Sequence, residues 1–159
     1  MKKPLVVILL GSGADREHGQ QIAAACQEYG LATEIRVGSA HKTPGHVLRL
    51  LGEYEADPRL KVYITVAGRS NALSGFTDGA VSAPVIACPP AAEAFGGADI
   101  LSSLHMPSGI ATALVLEPGN AALLAAKILG LGDARVRQAV ATAQARAGER
   151  VMQADASLH

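Results

Sequence analysis

Six apolar residues in a row, Leu5 to Leu10, run straight into Gly11-Ser12-Gly13. A strand with no polar face has to be covered on both sides, which is the situation of a central strand in a parallel sheet. The small residues that follow allow the chain to turn sharply at the strand's end. Such a strand suits helices packed above and below a sheet.

The rest of the chain supplies those helices. From Asp15 to Tyr29 the apolar positions Ile22, Ala23, Cys26 and Tyr29 recur at helical spacing, and Gly30 marks the stop. Thr33 to Val37 reads as a short alternating strand. Pro44 to about Glu55 reads as a helix with Val47, Leu50, Leu51 and Tyr54 on one face. Lys61–Val66, Pro84–Ala87 and Ala113–Leu116 are the third, fourth and fifth strands. Asn120–Leu129 and Ala134 to about Ala154 are the last helices, the second of them polar and Ala-rich. Alternating strands and helices with short connections predict a three-layer α/β/α, flavodoxin-like parallel sheet. The 159 residues make one domain, 1–159, ending in a C-terminal helix.

Charge and composition exclude several functions. Fourteen basic residues balance fourteen acidic ones, and there is no Trp and only five Phe and Tyr. A basic stripe and an aromatic stacking platform are both missing, so no nucleic-acid partner is expected. Pro4 to Leu10 is too short for a signal peptide core or a membrane span, and Ala121 to Leu131 is interrupted by Lys127. A soluble, cytoplasmic protein with no membrane partner is the expectation. Cys26 and Cys88 form no C-x-x-C pair and read as small buried hydrophobes. His18, His46, His105 and His159 show no metal-ligand spacing, so no metal is expected.

In such sheets ligands bind beyond the carboxyl ends of the strands, and polar residues gather there in this chain. Gly11 to Asp15 precedes a helix start, where backbone N–H groups attract an anion; Ser12 and Asp15 either contact a ligand or only cap the helix. The segment is not G-x-x-x-x-G-K-[ST], and Arg16 stands where G-x-G-x-x-G needs its last glycine. Ser39-Ala40-His41-Lys42-Thr43-Pro44 places a hydroxyl, an imidazole and an ammonium ahead of a helix. It reads either as a phosphate grip with a proton carrier or as a polar loop. Gly68-Arg69-Ser70-Asn71-Ala72 offers donors for a carboxylate or small acceptor, or is a plain loop. Cys88-Pro89-Pro90 is a stiff wall. Met106 and Pro107 present apolar surface to a flat ring, unless Met106 packs in the core.

Together these segments resemble one family from about Leu5 to Leu131. It comprises the aminoimidazole ribonucleotide carboxylases and carboxyaminoimidazole ribonucleotide mutases of purine synthesis. The shared marks are Gly11-Ser12-x-x-Asp15, Ser39-Ala40-His41-Lys42-Thr43-Pro44, Met106-Pro107-x-Gly109 and Asn120-Ala121-Ala122-Leu123. The mutases usually carry an Ala-Gly-Gly-Ala-Ala-His-Leu-Pro-Gly loop after the third strand and Arg in place of Lys42. Here Val66-Ala67-Gly68-Arg69-Ser70-Asn71, Cys88-Pro89-Pro90 and Ser102-Ser103-Leu104 resemble the second class instead, the carboxylases that use carbon dioxide directly.

The resemblance implies roles. His41 is the catalytic acid–base residue. Ser12 and Asp15 contact the nucleotide, with Asp15 on the ribose hydroxyls, Ser39 and Lys42 contact its phosphate, and Ser70, Asn71 and Ala72 match the loop that receives carbon dioxide or the new carboxylate; Ala40, Gly68 and Arg69 complete the substrate-binding set. Met106 and Pro107 border the ring. It implies no cofactor, and homo-octamers whose sites combine residues of neighbouring subunits. Two positions depart from the family: Ala14, where Ser is usual, and Leu10, where Met is common. The mutase reaction and a non-catalytic nucleotide-binding module of flavodoxin-like fold are the alternatives.

Overall fold

The computed structural model describes residues 2–90 and 94–158. Its strands are β1 (Leu5–Leu10), β2 (Ala32–Val37), β3 (Lys61–Val66), β4 (Val85–Ala87) and β5 (Ala113–Leu114). The helices are α1 (Arg16–Glu28), α2 (Pro44–Glu55), α3 (Ala72–Asp78), α4 (Pro118–Leu129) and α5 (Ala134–Ala156). All strand pairs are parallel, in the order β2-β1-β3-β4-β5. This is the flavodoxin-like α/β arrangement that the sequence predicts.

β1 lies in the middle, with Leu5 opposite both Ala32 and Lys61 and Leu10 opposite both Val37 and Val66. Its side chains divide strictly between two cores. Val6, Ile8 and Leu10 meet Ile22 and Cys26 of α1, Ala121, Ala122, Ala125 and Ala126 of α4, and Val136 and Val140 of α5. Leu5, Val7 and Leu9 meet Val47, Leu51 and Tyr54 of α2 and Leu73 of α3. All six are buried. At about 1.5–3 kcal/mol per buried aliphatic side chain, burial of these six residues holds the sheet between its two helical layers.

The element ends differ from expectation in places, each for a local reason. Gly30, at φ 71°, stops α1 as foreseen, and the Leu31 N–H returns to the Cys26 carbonyl. β2 is an edge strand, with Ile35 and Val37 36% and 45% exposed. β5 is two residues, not four. The Val115 N–H still reaches the Ala87 carbonyl, but the Leu116 carbonyl accepts the Cys88 thiol, and Pro118 then opens α4 two residues before Asn120. α3 begins at Ala72, inside the stretch read as loop. A 3-10 segment, Ala94–Ser103, lies where no element was expected.

The path reverses at β1. From β1 the chain moves outward to β2, then crosses back to β3 on the other side. That reversal opens a crevice at the carboxyl ends of β1 and β3. At the other end of the sheet the charged groups are paired: Arg59 donates to Asp57 and Glu34, and the Tyr54 hydroxyl donates to Glu34.

Candidate active site

The loops after β1, β2 and β3 converge at this crevice. The Gly38 N–H donates to the Leu10 carbonyl at 2.9 Å, fixing the second loop beside the first. The Gly11 N–H donates to the Val66 carbonyl at 2.8 Å, fixing the first beside the third. The approach is close at Gly11, where a Cβ would stand 3.2 Å from that of Ala67.

In the first loop the Ser12 hydroxyl accepts the Ala14 N–H at 3.2 Å and starts a single 3-10 turn, Gly13–Asp15. Asp15 stands at the N-cap of α1 but makes no side-chain capping bond. Its carboxylate is therefore not committed to the helix. Burial pushes its pKa above the ordinary carboxylate value, against the opposing effects of a backbone hydrogen bond at Ser12 and nearby His18.

The second loop is tied to itself. The Ser39 N–H donates to the Thr43 hydroxyl at 3.0 Å, the Thr43 N–H donates to the Ser39 carbonyl at 2.9 Å, and the Lys42 N–H donates to the Ser39 hydroxyl at 3.2 Å. These bonds close a turn over Ala40, His41 and Lys42, and leave the His41 and Lys42 side chains exposed. Ser39 Oγ accepts in this turn and keeps its own proton to donate. His46 belongs to the scaffold: Arg49 donates to its Nδ1 at 3.1 Å, so Nε2 carries the proton and donates to the Val37 carbonyl at 3.2 Å.

The third loop is tied to a distant segment. The Arg69 N–H donates to Asp99 Oδ2 at 2.8 Å, and the Asn71 N–H donates to the Ser102 hydroxyl at 3.0 Å. Asn71 is only 4% exposed. Its Nδ2 donates to Ser103 at 2.8 Å, and its Oδ1 accepts both the N–H and the hydroxyl of Ser74, capping α3. With Ser74's proton committed, Thr65 donates to Ser74 Oγ at 2.7 Å. The Asn71 side chain is thus spent on protein partners, and Arg69 and Ser70 are the exposed residues of the loop.

Pro90 forms a wall beside Gly68, 3.6 Å from where a Cβ would stand. Next to it the Cys88 sulfur lies 3.4 Å from His18 Nε2. Burial, reinforced by Glu117, pushes the Cys88 thiol up to about 12, so it stays protonated beside the histidine and is not a thiolate nucleophile. Met106 packs on α3, its sulfur 3.0 Å from the Cβ position of Gly75, and Pro107 is exposed. Among the described residues no three His, Cys, Asp or Glu side chains gather as a metal site requires, and no helix is long and apolar enough to cross a membrane.

The profile of one protein family, AIR carboxylase, matches residues 5–150. The chain belongs to the AIR carboxylase family. A phosphoribosylaminoimidazole carboxylase of Treponema denticola is 53% identical over 98% of both chains, and one of Archaeoglobus fulgidus is 49% identical over 96% of this chain and 83% of its own. The crystal structure of Treponema denticola PurE superposes with a TM-score of 0.96 at 52% identity, covering 98% of this chain and 99% of that one. A bifunctional phosphoribosylaminoimidazole carboxylase/phosphoribosylaminoimidazole succinocarboxamide synthetase of Drosophila melanogaster matches 83% of this chain at 48% identity, over 31% of its own length. The family expected from Ser39–Pro44 and its companion motifs is the family found.

Sequence reasoning missed two features at this edge of the AIR carboxylase family chain. One is the His18–Cys88 contact, for which the only signal was a histidine three residues after Asp15 on a helix. The other is the brace from Asp99, Ser102 and Ser103. Paired serines in an otherwise apolar stretch were its signal, since hydroxyls there need partners.

Proposed function

We infer that this protein carboxylates aminoimidazole ribonucleotide with carbon dioxide, reversibly, in purine synthesis. The observation that carries the reading is the near-full-length likeness to phosphoribosylaminoimidazole carboxylases, at 53% identity for the Treponema protein. The adjoining loops support it, because the Gly38–Leu10 and Gly11–Val66 hydrogen bonds bring the segments that carry Asp15, His41 and Lys42 to the same end of the sheet, with no capping bond on Asp15 and with His41 and Lys42 exposed.

The chemistry needs little from the protein. The ring carbon beside the amino-bearing carbon is electron-rich and forms a bond to the carbon of carbon dioxide, whose π pair moves to oxygen. That ring carbon then carries both a proton and a carboxylate. Neutral His41 takes the proton, and the C–H electrons restore the aromatic ring. In reverse, His41 protonates the ring carbon and carbon dioxide leaves. The step balances without a redox partner or a phosphoryl donor.

The remaining roles are positional. Lys42 and the Ser39 hydroxyl, beside Ala40, hold the phosphate, and Ser12 and Asp15 hold the ribose end. The stretch Gly68 to Ala72 receives carbon dioxide, and Met106 and Pro107 border the ring. Fixing the ring against carbon dioxide is where most of the rate arises. The whole chain, 1–159, acts as one catalytic domain in the cytoplasm and assembles as a homo-octamer. The outer half of α5, with Val151 and Met152 exposed, supports that assembly.

The reverse reaction in deuterium oxide tests the reading. With the carboxylated nucleotide as substrate, the wild-type protein is expected to release carbon dioxide and place one deuterium on the ring carbon. Binding without any conversion or label would show a nucleotide-binding module and sink the reading.

A further inference from the structure

The proton transfer assigned to His41 makes no use of the contact between the third loop and the 3-10 segment Ala94–Ser103. That contact holds an unusual conformation. Arg69 has φ 59°, in the left-handed region that a residue with a Cβ rarely occupies. Such a residue persists where its surroundings over-determine it, and it is found preferentially where a site needs it.

Here the surroundings do over-determine it. Asp99 Oδ2 accepts the Arg69 N–H, a charge-assisted bond of 2.8 Å. The Ser102 hydroxyl accepts the Asn71 N–H, and the Arg69 carbonyl lies 3.0 Å from it within reach of its own proton. The Asp99 carbonyl, 2.8 Å away, holds Ser102 in place. Two alternate loop amides are therefore gripped from one side, which turns the intervening Ser70 and the Arg69 side chain outward. Asp99 and Ser102 line an open cavity of about 670 Å³ together with Arg69, Ser70 and Phe95. Asp99 also borders a cavity of about 320 Å³ with Pro89, Pro90 and Glu117.

We propose that Asp99 and Ser102 are positioning residues for the carbon dioxide half of the reaction. They fix the stretch Gly68 to Asn71 in the one conformation that presents Ser70 and Arg69 to carbon dioxide and to the new carboxylate, and they leave nucleotide binding alone. The proposal rests on the reading that this loop receives carbon dioxide.

Steady-state kinetics of Asp99→Ala, Asp99→Asn and Ser102→Ala test it, with carbon dioxide and nucleotide varied separately. A misplaced loop is expected to raise the KM for carbon dioxide by about ten-fold or more in the two alanine variants, with the KM for nucleotide close to wild type. Asp99→Asn keeps an acceptor oxygen and is expected to recover most of the loss. A KM for carbon dioxide close to wild type in both alanine variants, or an equal rise for both substrates, overturns the proposal. Should Asp99→Ala fail to fold, Ser102→Ala decides alone. Faster amide exchange at Asn71 with a raised KM for carbon dioxide supports the proposal, and either one without the other overturns it. Arg69→Ala and Ser70→Ala separate the two layers. If neither changes the KM for carbon dioxide, the loop assignment itself fails. If they do while the Asp99 and Ser102 variants do not, only the brace fails.

Discussion

Two loops of the site are built in opposite ways. The turn over Ala40, His41 and Lys42 is closed by bonds between residues three and four apart in sequence. The stretch Gly68 to Asn71 is closed by bonds to residues about thirty positions away, in a separate segment. The turn draws its closing hydrogen bonds from its own residues and leaves one imidazole and one ammonium exposed. A remotely closed loop takes its shape from the tertiary fold, and a change at Asp99, Ser102 or Ser103 is transmitted to it. In the proposed reaction, proton transfer and phosphate binding fall on the locally closed turn, and carbon dioxide handling falls on the loop shaped by the packing of the carboxyl edge.

The contrast breaks most readily at His41. His41→Asn removes the proton acceptor but none of the turn's hydrogen bonds, so kcat is expected to fall by roughly 10²–10⁴ with nucleotide affinity unchanged. Turnover at more than a few per cent of wild type, measured by product absorbance, contradicts the assignment. Lys42→Ala is next. Loss of one charge-assisted phosphate contact is expected to cost about 1.5–3 kcal/mol of binding, seen by calorimetry as a reduced preference of the mutant for the nucleotide over its nucleoside. An undiminished preference places the phosphate elsewhere.

Stability sharpens the contrast further. Asn71→Ala strips partners from buried Ser74 and Ser103, and is expected to destabilise the protein by about 1–3 kcal/mol in urea unfolding. Thr43→Ala opens the exposed turn, where water replaces the lost bonds, and is expected to cost no more than about 0.5–1 kcal/mol. Equal costs would mean that the two loops are not held differently.

The same contrast explains what could be read from sequence. The sheet was legible because β1 is apolar on both faces, and both cores follow from its alternation. The second loop stayed open between a phosphate grip and a polar loop on its residues alone, and only the family resemblance of Ser39 to Pro44 gave it a role. Met106 was ambiguous, since flexible apolar side chains fit a core and a ligand equally well, and its sulfur lies on α3. The brace at Asp99 was not legible. Its partners are far apart in the chain, and Ala94–Ser103 interrupts its 3-10 turns with left-handed Phe95, Gly96 and Gly97, which leaves no periodicity to detect. Asn71 was expected at the substrate because of its place in the loop, whereas its side chain is turned inward to cap α3.

The central claim is that carbon dioxide adds directly to the aminoimidazole ring. It is tested most directly by incubating the purified protein with aminoimidazole ribonucleotide and bicarbonate, with carbonic anhydrase present and ATP absent. The account predicts formation of 4-carboxy-5-aminoimidazole ribonucleotide at a rate that rises with carbon dioxide. No product under these conditions, with product appearing only when an ATP-dependent partner first supplies the N-carboxylated nucleotide, would contradict it.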